Sequence, residues 1–73
     1  MKTMDTMIHI DESLDEDQQL TLATALRDMQ GVVAPRFNKP HLLMVAYDAD
    51  ATSATALLSA VAGRGYRAQL VGF

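Results

Sequence analysis

Methionine and histidine side chains on two segments of the chain are the residues best suited to soft-metal chemistry. Met7 and His9 are two positions apart, and Met44 lies in a separate apolar segment. Residues two apart on a β-strand share a face, so a neighbouring strand carrying Met44 would complete a group of three ligands. Thioether and imidazole ligands suit Cu(I), and imidazole also suits nickel or zinc. The alternative is an ordinary sheet face on which methionine fills space.

A run of carboxylates precedes the first predicted helix. Five acidic residues, here named the acidic head, occur within seven positions: Asp11, Glu12, Asp15, Glu16 and Asp17. The helix dipole favours negative charge at a helix N-terminus, so solvated capping charge is one interpretation. A docking patch for a basic partner protein is the second. A hard divalent-cation site is the third, although the spacing matches no calcium-binding loop.

The composition narrows the classes of function. Nine acidic and six basic residues give a net charge of −3, which disfavours nucleic acid and anionic membranes as partners. The chain contains no cysteine, which excludes disulfides, thiolate metal sites and a cysteine nucleophile. Ser13 and Ser53 have no plausible base nearby, so we expect no enzymatic activity. Neither a membrane span nor a secretory signal is recognised, so we expect a cytoplasmic protein.

The segment from His41 to Asp48 is the clearest predicted strand. Pro40 blocks a helix before it, and both faces of the segment are apolar. One face carries Leu43, Val45 and Tyr47, and the other carries Leu42, Met44 and Ala46. A strand that is apolar on both sides belongs in the middle of a sheet, with other elements covering at least one face.

The remaining patterns predict a complete fold. Strands are predicted at residues 3–10, 32–38, 41–48 and 66–73, and helices at about 14–30 and 53–63. With right-handed crossovers, this order gives one α+β domain over residues 1–73. The expected topology is ferredoxin-like βαββαβ, with a four-stranded antiparallel sheet and two helices on one face. The first and third strands are the predicted central pair.

Cap residues define the predicted ends of several elements. Ser13 and Glu16 fit the capping box of the first helix, with Ser13 as N-cap. Gly31 is a natural C-terminal cap for the same helix. Pro35 cannot donate a ladder hydrogen bond, so its strand is predicted to be an edge strand.

Alternation assigns side chains to the two sheet faces. Besides the central strand, the residues expected to face the helices are Met4, Ile8, Ile10, Val33, Phe37, Ala68 and Leu70. The open face is expected to carry Met7, His9, Leu42, Met44, Val71 and Phe73. His41 is predicted to be an exposed turn residue. It falls on a different face from His9, so no histidine pair is expected.

Three short motifs along the chain match the pattern of a known family. Residues 25–32 (Ala-Leu-Arg-Asp-Met-Gln-Gly-Val) lead out of the first helix into a Gly-Val pair. Residues 45–48 read Val-Ala-Tyr-Asp, and residues 65–68 read Gly-Tyr-Arg-Ala. The chain thereby resembles the heavy-metal-associated (HMA) domain of copper chaperones, the mercury-binding periplasmic protein and metal-pumping ATPases. The resemblance extends from Ile8 to Leu70 and implies the ferredoxin-like fold.

The signature of that family, Gly-Met-x-Cys-x-x-Cys, is not kept in this chain. The resemblance places the two cysteines at Asp15 and Gln18, and the Gly-Met pair at Glu12 and Ser13. In the family the thiolates bind a soft ion, whereas carboxylate and amide groups are hard oxygen donors. The resemblance therefore implies a degenerate metal-binding motif, and the family's metal role transfers to no residue here.

We expect a small, non-enzymatic interaction or adaptor module without a cofactor. Its expected binding surfaces are the acidic head and, on the open sheet face, Leu42 and Met44. The expected partner is another protein with a basic surface, or a second copy of this chain bound through the open face. The alternative is a metal carrier or sensor in which Met7, His9 and Met44 hold a single copper, zinc or nickel ion.

Overall fold

The computed structural model describes residues 2–71 and contains six elements in the predicted order. They are β1 (Thr3–Ile10), α1 (Glu16–Arg27), β2 (Val32–Lys39), β3 (Leu42–Asp48), α2 (Ala54–Ala62) and β4 (Ala68–Val71). The strands form one antiparallel sheet in the order β2-β3-β1-β4. The ferredoxin-like fold and the central β1–β3 pair are thus confirmed. No helix within residues 2–71 is long and apolar enough to cross a membrane.

One hydrophobic core lies between the sheet and the two helices. It consists of Ile8, Ile10, Leu14, Leu22, Leu26, Leu43, Val45, Tyr47, Leu57 and Val61. Alternate residues of β1 and β3 are buried, as the sequence pattern predicts. Because a slip of one residue would turn every one of these side chains to the other face, the burial of this set defines the register of the sheet.

Two predictions about the edge strand β2 have different outcomes. Pro35 lies on β2 at the edge of the sheet, as expected. The expected inward position of Val33 is wrong, since Val33 is exposed and Val32 packs against the core. The register with β3 shifts between Val32 and Ala34, and this irregularity exchanges the faces of the two valines.

Two other residues expected to face the helices are largely exposed. Met4 is 45% exposed and Leu70 is 40% exposed. Their strand positions agree with the predicted register, because Met4 pairs with Tyr47 and Leu70 pairs with Ile8. Met4 lies near the start of β1, before the residues that pair with β4, and Leu70 lies on the edge strand β4. The last strand begins at Ala68 and not at residue 66 as predicted, and the expected position of Phe73 lies outside the described residues.

The connection from α1 to β2 contains a glycine with a special backbone conformation. The helix ends at Arg27 with Asp28 as C-cap, so Gly31 is not its cap as predicted. Gly31 instead has φ of +91° and begins the return into β2. Its carbonyl accepts a hydrogen bond of 2.7 Å from the backbone N–H of Asp48, which joins this turn to the end of β3.

Candidate functional site

A reciprocal pair of hydrogen bonds closes the N-terminus of α1. The backbone N–H of Gln18 donates to the Asp15 carboxylate at 2.8 Å, and the backbone N–H of Asp15 donates to Gln18 Oε1 at 3.0 Å. These bonds form a capping box in which Asp15 is the N-cap. The predicted box of Ser13 and Glu16 is wrong, because the buried Leu14 anchors the chain in the core before the helix begins.

The two members of this capping box are the residues to which the resemblance assigns the family's cysteines. Asp15 and Gln18 both use side-chain oxygens to accept hydrogen bonds from backbone amides of the first turn. These oxygens are hard donors, and the chain contains no cysteine to supply a thiolate. The residues present therefore do not fit a thiolate-bound soft ion at this helix N-terminus.

The other carboxylates of the acidic head fall into two groups. Glu12 Oε1 accepts a hydrogen bond of 3.0 Å from the backbone N–H of Arg67, which ties the loop to the segment before β4. The backbone of Asp11 also donates to the Arg67 carbonyl at 2.8 Å. By contrast, the side chains of Asp11, Glu16 and Asp17 are exposed to solvent. This part of the head is a surface of negative charge beside the helix N-terminus.

The open face of the sheet brings together most of the apolar residues predicted there. Met7 is the register partner of both Met44 and Val71, and His9 is the partner of Leu42. All five side chains are half-buried. The two methionines are therefore direct cross-strand neighbours on one side of the central strand pair.

A shallow hollow of about 150 Å³ lies beside Met44. It is lined by Asp5, Ala34, Arg36, Met44, Val45 and Ala46. Asp5 pairs with Ala46 and Arg36 pairs with Met44, so opposite charges flank a floor of small and apolar side chains. Pockets for small organic ligands measure roughly 300–1,000 Å³. The hollow is smaller than this range, so it is too small to enclose a substrate of that size.

The structure also brings together two histidines that the sequence pattern assigned to different faces. The rings of His9 and His41 are stacked, with centroids 6.0 Å apart and planes inclined by 14°. His41 precedes the first residue of β3 and lies in the hairpin connection. Strand alternation therefore does not set the direction of its side chain, which is why the expectation of no histidine pair is wrong.

No three His, Cys, Asp or Glu side chains in the described part of the chain, residues 2–71, are grouped so that they could hold a metal ion. The open face carries two methionines besides these residue types. Two protein ligands can also hold an ion whose remaining positions are filled by water.

Comparisons with known proteins relate the fold to proteins that handle metals. No protein-family model matches the chain, and no significant match to a curated protein was found. Among solved structures, oxidized MerP from Ralstonia metallidurans CH34 has a TM-score of 0.84 and 20% identity, over 96% of this chain and 99% of that one. A copper-binding domain from the P-type ATPase HMA7 has a TM-score of 0.84 and 11% identity, with 93% of each chain covered.

A third similar structure is the N-terminal domain of a potential copper-translocating P-type ATPase from Bacillus subtilis in the Cu(I)-loaded state. Its TM-score is 0.81 and its identity is 22%, over 96% of this chain and 89% of that one. At these identities the similarity shows a shared fold. A shared fold does not by itself define a function.

Proposed function

We propose that this chain is an HMA-like domain that has lost the thiolate metal site and acts as a non-enzymatic protein-interaction module. The observation that carries the proposal is the capping box of Asp15 and Gln18. These two side chains are bonded to the helix N-terminus at the positions where the family's ion would be held. The scaffold is kept, while the groups at the former metal positions stabilise the helix.

The acidic head is the first proposed binding surface. Its exposed carboxylates Glu16 and Asp17 form no hydrogen bond or ion pair with residues 2–71, so a partner's lysine or arginine side chains can approach them. Asp11 is also exposed, and its Oδ1 lies 3.5 Å from His9 Nδ1. Complementary charge accelerates association and suppresses wrong partners more than it adds affinity. A protein with a basic surface is the partner that fits this patch.

The open face is the second proposed surface. Leu42 and Met44 lie on it side by side with Met7 and Val71, and all four are half-buried. Apolar area on one side of a sheet contributes binding energy when a partner covers it. The proposed occupant is the apolar part of the same partner, or a second copy of this chain.

Charge reversal at one end of α1 tests the role of the acidic head. The test variant is Glu16→Lys with Asp17→Lys, and the matched control is Asp28→Lys with Asp50→Lys. All four residues are exposed, both double variants change the net charge equally, and Asp28 lies at the opposite end of the helix. Each chain is immobilised and exposed to a cell extract at low and at moderate salt. The proteins that each chain retains are then quantified by mass spectrometry and compared.

The expected result is that proteins retained by the unmodified chain are lost with the test variant and kept with the control. Reversal at Glu16 and Asp17 also removes a favourable helix-dipole contribution of about 0.3–1 kcal/mol per charge, so circular dichroism must show that the variant is folded. If both double variants retain the same proteins as the unmodified chain, the acidic head is not a docking surface.

A second candidate function is a metal carrier or sensor that uses the open face. The observation in its favour is the direct cross-strand pairing of Met7 with Met44, beside His9. Two thioethers and an imidazole would suit Cu(I). Met7→Leu and Met44→Leu preserve apolar volume, so Cu(I) uptake that is lost in both variants would support this function. Uptake that is unchanged in both would exclude it.

A further inference from the structure

We propose that His9 and His41 form a two-histidine site for a borderline divalent metal ion, at the end of the sheet beside the acidic head. The site differs from the two-methionine group, because the His9 ring is stacked on the ring of His41. It also differs from the former thiolate positions, because neither histidine belongs to the loop between Glu12 and Gln18. The proposal does not depend on the interaction function.

The hydrogen bonding of His41 leaves one ring nitrogen prepared for a metal. His41 Nδ1 lies 3.1 Å from the backbone carbonyl oxygen of Ile10. A carbonyl oxygen can only accept, so Nδ1 carries the proton in this bond. In the neutral ring, Nε2 then has the free lone pair. Metal-binding histidines usually have this arrangement, in which a carbonyl or carboxylate orients the second nitrogen.

His9 has a related arrangement with a carboxylate. Its Nδ1 is buried and forms no hydrogen bond within residues 2–71, yet it lies 3.5 Å from Asp11 Oδ1. This distance is too long for a charge-assisted hydrogen bond, which measures about 2.7–2.9 Å. A small approach of the exposed Asp11 side chain would provide the bond and orient the ring. Since the side chain is 38% exposed although Nδ1 is buried, Nε2 is the accessible nitrogen.

The position of the two rings allows them to share one ion. Leu42 is the register partner of His9, and His41 is the residue directly before Leu42. Because His41 lies in the hairpin connection and not on β3, its ring can stack on the ring of His9. The ring centroids are 6.0 Å apart and the rings are nearly parallel, so a shared ion requires the half-buried His9 ring to turn its Nε2 toward His41.

The donor set indicates the class of ion. Imidazole nitrogen suits Zn(II), Ni(II) and Cu(II), whereas calcium and magnesium prefer oxygen ligands. Two protein ligands leave positions for water or for a group supplied by another molecule. The negative charge of Asp11, whose Oδ1 lies 3.5 Å from His9 Nδ1, favours a cation over an anion here.

Titration of the purified chain with Zn(II) and Ni(II) tests the site, using isothermal calorimetry and native mass spectrometry at near-stoichiometric metal. We expect one ion per chain, with binding weakened at least about tenfold in His9→Gln and in His41→Gln. Asp11→Asn should weaken it less than either. The matched controls are Met7→Leu and Met44→Leu, which alter the same face and should leave Zn(II) binding unchanged.

A second readout is the imidazole nitrogen spectrum by NMR. We expect His41 to be the Nδ1–H tautomer without metal and to shift at Nε2 when Zn(II) is added. Absence of Zn(II) and Ni(II) binding would overturn the proposal, as would binding that is lost in Met7→Leu but kept in His41→Gln. Because these measurements use the chain alone, a negative result leaves the charge-reversal test of the interaction function unaffected.

Discussion

Two glycines have positive φ, and they differ in the space that a side chain would have. Substituting each by alanine therefore separates the free-energy cost of backbone strain from that of steric overlap. Gly31 has φ of +91° and Gly65 has φ of +95°. A Cβ at Gly31 would lie 2.9 Å from the Cβ of Ala51 and 3.1 Å from a methyl carbon of Thr52, whereas a Cβ at Gly65 would meet nothing within 4 Å. Only the first position has both a conformational and a packing requirement for glycine.

We therefore expect Gly31→Ala to be more destabilising than Gly65→Ala. Both variants incur backbone strain of about 1–3 kcal/mol, and Gly31→Ala adds the contacts with the Ala51 and Thr52 side chains. Urea unfolding of the two variants and the unmodified chain measures the difference. Equal losses of unfolding free energy would show that the Ala51 and Thr52 side chains move away from the new Cβ at no measurable cost.

Asp48 connects the pH dependence of stability to particular hydrogen bonds. Its Oδ1 accepts from the backbone N–H groups of Asp50 at 3.0 Å and Lys2 at 3.1 Å. These bonds, with that from Asp50 the larger cause, hold the pKa of Asp48 below its ordinary value of 3.8. Because the folded state favours the charged carboxylate, the stabilisation is fully present above the unfolded pKa. It is lost as pH falls through the folded pKa.

The corresponding test compares Asp48→Asn with the unmodified chain across acidic pH. At neutral pH the unmodified chain should be the more stable, and the gap in unfolding free energy should narrow as pH falls below 3.8. Denaturant titrations at a series of pH values measure this gap, and the other carboxylates cancel in the comparison. A gap that does not vary with pH would contradict the assigned hydrogen bonds.

At the scale of single elements, the N-cap of α1 is Asp15 in the structure, whereas the sequence pattern predicts Ser13. Asp15→Ala removes the N-cap side chain and should lower the unfolding free energy by about 1 kcal/mol. Ser13→Ala is the matched control and should change it by less than about 0.5 kcal/mol, because Ser13 is exposed outside the helix. Thermal and urea unfolding measure both. The opposite order would favour the capping box that the sequence suggested.

The elements also show which structural features a single sequence can predict. The bounds of β1 and α2 and the burial of alternate residues in β1 and β3 follow from periodicity, because the core enforces them. The capping box was misplaced because two overlapping segments, Ser13 to Glu16 and Asp15 to Gln18, have the same pattern of residue types. Tertiary burial of Leu14 decides between them, and a local pattern contains no information about it.

Strand register also explains which side-chain neighbours could be predicted from the sequence and which could not. The Met7–Met44 neighbourhood follows from strand register and could be predicted. The His9–His41 stack depends on a hairpin connection in which alternation no longer applies. The inversion of Val32 and Val33 depends on an irregularity in an edge strand, which the sequence marks only weakly through the nearby Pro35. Register-dependent features were accessible from sequence, while loop-dependent features required the fold.

At the scale of the whole molecule, a shared fold does not require a shared metal site. The backbone superposes on metal-binding domains with TM-scores of 0.81 to 0.84, at identities of 11% to 22%. The core positions support this architecture, whereas Asp15 and Gln18, to which the resemblance assigns the family's thiolates, cap a helix. A core requires only apolar volume in the right pattern, so it tolerates extensive change. A metal site requires particular donor atoms and loses its function when they are replaced.

The two-layer architecture makes a prediction that involves adjacent residues of β3. Val45 is buried between the sheet and the helices, while Met44 lies on the open face. Val45→Asp should unfold the domain, because an unpaired buried carboxylate costs several kcal/mol against a total stability of roughly 5–15 kcal/mol. Met44→Asp places the same carboxylate on a face without a covering layer. In dilute solution it should change the unfolding free energy by no more than about 1 kcal/mol.

Circular dichroism and urea unfolding at low protein concentration distinguish these outcomes. The comparison is controlled internally, because the two variants introduce the same side chain at neighbouring positions of one strand. A loss in Met44→Asp as large as that in Val45→Asp would mean that another layer covers the open face. If the melting temperature of the unmodified chain then rose with protein concentration, a second copy of the chain would be that layer, since association with the folded state stabilises it by mass action.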